Sequence, residues 1–129
     1  MNPLKEYALL CEFLTQSTNG LYTYAHVFDR TNTTGEGPIT LNGFLAVRLR
    51  DVPADANLEI YITDENNVLV EKGGVFKQAV KGPQVHIIAK MHGLTVAKPG
   101  EYRFAARIDG GEPIALCTWT AERKVEVTK

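Results

Sequence analysis

Apolar residues recur at every second position along most of this chain. Between Ile39 and Arg50, one side carries Ile39, Leu41, Gly43, Leu45, Val47 and Leu49. The other side carries Thr40, Asn42, Phe44, Ala46, Arg48 and Arg50. A period of two sets each group on one face of a strand and cannot gather either into a helical stripe. Asn57 to Thr63 repeats the pattern, with Leu58, Ile60 and Ile62 opposite Glu59, Tyr61 and Thr63. Asp64-Glu65-Asn66-Asn67 then reads as a turn, because Asn and Asp bond to nearby backbone and tolerate left-handed dihedrals. Val68 to Lys72 is expected to return as the hairpin partner, and Val75 to Val80 to be an irregular edge segment. Gln84 to His92 places Val85, Ile87, Ala89 and Met91 inward, with His86, Ile88, Lys90 and His92 outward.

Lys98-Pro99-Gly100 predicts a tight turn of type II. Beyond it Tyr102, Phe104, Ala106 and Ile108 face the core, opposite Glu101, Arg103, Ala105 and Arg107. Asp109-Gly110-Gly111 is a hairpin signal, and Glu112 to Thr120 is the strand that follows. The opening is more ambiguous. Leu4, Ala8, Cys11 and Leu14 fit a helix face, while Tyr7, Leu9, Cys11 and Phe13 fit a strand face. The turn-like Ser17-Thr18-Asn19-Gly20 and the strand-like Gly20 to Asp29 favour a hairpin. Thr31 to Pro38 reads as a polar loop. Eight or nine short strands with a turn every ten residues or so predict an all-β, two-sheet sandwich. With no stretch suited to a helical crossover, the sheets are expected to be mainly antiparallel.

Composition narrows the function classes. The 129 residues fit one domain spanning 1–129, and 44% hydrophobic with 22% charged residues is a globular balance. Fourteen basic and fifteen acidic side chains nearly cancel, which argues against a nucleic-acid binder or a polybasic membrane patch. Lys5, Glu6 and Glu12 interrupt the apolar residues at the start, and no run is long enough to span a bilayer, so a cytoplasmic chain is expected.

Several segments carry a resemblance. Tyr7-Ala8-Leu9-Leu10-Cys11-Glu12, a turn at Asn19-Gly20 and a strand ending His26-Val27-Phe28-Asp29-Arg30 form the first half of it. Leu45-Ala46-Val47-Arg48-Leu49 and the closing hairpin Pro99-Gly100-Glu101-Tyr102-Arg103-Phe104 with Asp109-Gly110 form the second. Together they resemble a set of uncharacterised bacterial proteins classed as a domain of unknown function with an immunoglobulin-like sandwich. The resemblance implies that fold and a first strand in place of a helix. It implies no catalytic residues.

Reactive groups do not gather in the sequence. Cys11 and Cys117 are expected as two small buried hydrophobes in a reducing compartment, a disulfide requiring the first and last strands to be neighbours. No Cys-x-x-Cys or His-x-x-x-His spacing recruits His26, His86 or His92 to a metal. On a regular strand His86 and His92 stand roughly 20 Å apart, too far to share one ion. Neither Glu12 with Asp29 nor Asp51 with Asp55 has a spacing that marks a glycosidase pair. Arg48, Arg50, Arg103 and Arg107 form a basic stripe if their two strands are adjacent, and otherwise keep a sheet soluble and discourage edge pairing. Tyr22, Tyr24, His26 and Phe28 share one face of the second strand, while Leu21, Thr23, Ala25 and Val27 share the other. The first reading makes Tyr22, Tyr24 and Phe28 the core face; the second leaves Tyr22 and Tyr24 exposed as a ligand platform. The function expected is therefore a non-enzymatic interaction or scaffold module without a cofactor, acting through a sheet face or edge on a protein partner or a second copy. The alternative is a small-ligand or carbohydrate-binding module that uses Tyr22 and Tyr24.

Overall fold

The computed structural model describes residues 2–70 and 75–124. Nine strands form two sheets: β1 (Leu4–Gln16), β2 (Tyr22–Phe28), β3 (Arg30–Thr34), β4 (Ile39–Arg50), β5 (Ala56–Thr63), β6 (Val75–Val80), β7 (Val85–Val96), β8 (Gly100–Ile108) and β9 (Ile114–Lys124). The four-stranded sheet runs β2-β1-β4-β7 and is antiparallel throughout. The five-stranded sheet runs β3-β9-β8-β5-β6 and is mixed, because β3 lies parallel to β9.

Alternation builds the core where the sequence places it. Leu45, Val47 and Leu49 of β4 and Ile87 and Ala89 of β7 are buried against Leu58, Ile60 and Ile62 of β5 and Tyr102, Phe104 and Ala106 of β8. Trp119 is fully buried among them, its indole N–H donating to Thr31 Oγ1 at 2.9 Å. A buried indole needs such a partner, since an unpaired buried donor is costly. The opening is a hairpin as expected, closed at Ser17 to Leu21 by backbone bonds. Asp109 and Gly110 both take positive φ, 51° and 71°, the backbone of a type I′ hairpin turn.

Three expectations are corrected. The stretch Thr31 to Pro38 is not all loop, because Arg30–Thr34 forms β3 beside the last strand. Its polar side chains hide an edge strand whose β-branched threonines suit extended backbone. The chain reaches it by crossing between sheets at Asp29, whose carbonyl accepts a bond from Thr120 N at 2.8 Å. Second, the strand that follows β5 in sequence and pairs with it is β6, in unbroken register from Ala56–Val80 to Tyr61–Val75. Of Val68 to Lys72, only Leu69 and Val70 return against β5, and residues 71–72 lie outside the described residues. Third, β7 runs past His92 to Val96, carried through a register shift opposite Gly43 by Gly93 at φ 72°. Gly100 has positive φ as the turn requires, but at 153° it is far from the type II value of about +80°.

Candidate functional site

β1 is apolar on both faces from Tyr7 to Cys11, and both faces are covered. Leu10 faces the core, while Cys11, paired with Phe44 on the opposite face, is 0% exposed. The ladder shows what covers it. Tyr24 lies opposite Leu14, seven residues beyond Tyr7. A straight strand separates those positions by about 23 Å, more than two tyrosine side chains span end to end. Yet the phenol oxygens of Tyr7 and Tyr24 are 3.0 Å apart. β1 therefore bends, and the outer part of the hairpin folds back over the four-stranded sheet. The bend sits just past Cys11, where β1 stops pairing with β4 and the β1–β2 ladder, in one register throughout, lacks the Glu12–His26 pair, with His26 at φ 56°.

Folding back assembles an aromatic cluster from three strands, β1, β2 and β7. Both phenol oxygens lie 3.0 Å from His86 Nε2, closing a triangle of polar atoms. Tyr22 stacks parallel to Tyr24 at 6.2 Å between ring centres and meets His86 edge to face at 4.7 Å. Arg48 lies beside His86 in the register, bonded to Glu6 at 3.2 Å and to Gln84 Oε1 at 3.1 Å. Burial, then the nearby Arg48 charge, lowers the His86 pKa. Burial, then the bond and charge of Tyr7, raises that of the Tyr24 phenol. Both shifts favour the neutral forms. With its proton on Nδ1, the ring accepts at Nε2 from one of the two phenols, and the oxygen of that phenol can accept from the other. The triangle uses both phenol protons within itself and holds the hairpin down.

Tyr22 and Tyr24 are thus half-buried on the outer layer, apart from Phe28, which packs against the core. The signal for this was the two-sided apolar pattern of β1, which marks a strand buried on both faces. Sequence reading missed Tyr7 and His86 as members of the cluster. Arg48 and Arg50 lie on a different sheet from Arg103 and Arg107, so the condition for a basic stripe is not met. Arg103 is paired with Glu101 at 3.4 Å, and Arg107 covers the Tyr61 ring at 4.9 Å. His26 stands at the bend, 3.5 Å from Glu12, and His92 is exposed on β7. Among the described residues no three His, Cys, Asp or Glu side chains are grouped to hold a metal ion, and no helix is long and apolar enough to cross a membrane.

Both cysteines are free thiols. Cys11 faces the folded-back hairpin, whereas Cys117 pairs with Phe104 on the inner side of the other sheet. Burial lifts the Cys117 thiol to about 11, against a smaller downward pull from Lys5. A thiol that stays protonated at neutral pH is a poor nucleophile.

The longest uncommitted feature is an edge. β7 ends the four-stranded sheet, and among the described residues nothing pairs with its outer side. Its 12 residues include His86, Lys90 and His92 and no acidic side chain.

Fold and site together define a two-sheet all-β domain with a folded-back aromatic hairpin and a long free edge. The chain belongs to the family described as a family of unknown function, DUF6941, whose model matches residues 6–116. No curated protein matches it.

Proposed function

We propose that this domain is a non-enzymatic interaction module that takes up an extended, acidic segment of a partner protein along β7. One observation carries the reading: β7 offers 12 residues of strand with an unpaired outer edge among the described residues. A free edge is a template for another strand, with main-chain bonds supplying affinity and side chains supplying selection. Lys90, the charged side chain of β7, favours a partner with Asp or Glu opposite it. An immunoglobulin-like sandwich is part of this proposal. Tyr102, near the start of β8, supports it by donating to the Lys98 carbonyl at 2.7 Å, as the tyrosine corner of such domains does.

Hydrogen–deuterium exchange on the full chain tests the reading, using a synthetic peptide that alternates valine or threonine with glutamate. Slowed exchange confined to Val85–Val96, weakened when lysine replaces glutamate in the peptide, is the expected result. Unchanged exchange along β7 with both peptides counts against it.

A further inference from the structure

The bend in β1 leaves an open groove of about 510 Å³ between that bend, β3 and the first half of β4. Small-molecule sites commonly occupy roughly 300–1,000 Å³, so the size suits a ligand of one or two rings. Its wall combines two kinds of surface. Phe13 and Phe28 supply aromatic faces, and Phe13 is 56% exposed. Exposing that much ring to water is costly and is offset when an apolar ligand face covers it.

The polar groups are oriented by bonds that leave particular atoms available. Trp119 donates to Thr31 Oγ1 at 2.9 Å, which fixes the hydroxyl and leaves its own proton to give. Gly93 N donates to Asn42 Oδ1 at 2.9 Å, which pins the amide and leaves its nitrogen as a two-proton donor. The groove carries one charge of each sign, Arg30 and Glu12. Arg30 is paired with Glu122 at 3.0 Å, and Glu12 lies 3.5 Å from the His26 ring. Such a wall selects neither an anion nor a cation. It selects a neutral molecule with closely spaced hydroxyls on one side and C–H groups on another.

We propose that this groove binds a neutral saccharide, one sugar face lying on Phe13 and its hydroxyls meeting Thr31 and Asn42. The site is separate from the outer edge of β7, so either proposal can fail without the other. The test is an NMR titration of the full chain with glucose, galactose, mannose and N-acetylglucosamine, and with maltose, cellobiose, lactose and chitobiose. The expected result is a saturable shift at Phe13, Thr31 and Asn42 with at least one sugar. Phe13→Ala weakens that binding about tenfold, or ~1.4 kcal/mol, with an unchanged melting temperature, and Phe13→Tyr restores it. The proposal is overturned if no sugar shifts these signals at millimolar concentration, if binding is unaffected in Phe13→Ala, or if the shifts fall on Tyr22, Tyr24 and His86.

Discussion

His86 Nε2 lies 3.0 Å from the phenol oxygens of two strands, Tyr7 in β1 and Tyr24 in β2, while Arg48 lies beside it in the sheet. Tyr22 packs on the ring from the hairpin, and Glu6 holds Arg48 in place. Burial and Arg48 both lower the pKa of the folded-state imidazole, so the unfolded chain binds its proton first as pH falls. The contribution of His86 to stability is therefore complete above the unfolded value of about 6.5 and is lost progressively on the acid side of it. Melting curves taken from neutral to mildly acidic pH should fall more steeply for the wild type than for His86→Gln, which has no ring to protonate. Parallel slopes in the two proteins would show that the triangle does not couple to protonation. At this scale the core was legible and the cluster was not. Alternation in β4 and β8 names Leu45, Val47, Phe104 and Ala106 without ambiguity. The outward position of His86 in β7 gives no sign that tyrosines from another strand will cover it.

Strands were legible where their side chains alternate and obscure where backbone decides. β3 was missed because a five-residue polar edge strand carries almost no hydrophobic period, and its partner β9 lies at the far end of the chain. The continuation of β7 was missed because Gly93 breaks the alternation while a register shift opposite it preserves the pairing. The bend in the first hairpin is of the same kind. It rests on His26 holding φ 56°, where a side chain with a Cβ costs about 1–2 kcal/mol. The contact of His26 with Glu12 is mostly exposed and offsets little of that cost. His26→Gly should therefore be neutral or stabilising by up to about 1 kcal/mol, because glycine adopts this backbone without strain. His26→Val should cost about 1–2 kcal/mol, since branching at Cβ disfavours it further. Chemical denaturation of the three proteins measures both effects. A valine variant as stable as the wild type would mean that the bend is not held by backbone at this residue.

For the whole molecule, a period of two reports that a strand has two faces but not which sheet it joins. The all-β class followed from the pattern, while the division into β2-β1-β4-β7 and β3-β9-β8-β5-β6 depends on pairings between distant segments. That division settles the relation of the two cysteines. First and last strands belong to different sheets, with Cys11 turned toward the folded-back hairpin and Cys117 toward the space between the sheets. A disulfide needs Cβ atoms about 3.5–4.5 Å apart and pointing at one another, and thiols on opposite sides of the four-stranded sheet do not meet that requirement. Burial also holds the Cys117 thiol near a pKa of about 11, so at neutral pH it is almost wholly protonated and slow to exchange. The melting temperature should accordingly be the same with and without reductant. A thiol reagent at neutral pH should react slowly with the folded protein and with both cysteines once denaturant is added. Rapid loss of both thiols under mild oxidation, accompanied by a rise in melting temperature, would place the two residues side by side and contradict the sheet assignment of β1 and β9.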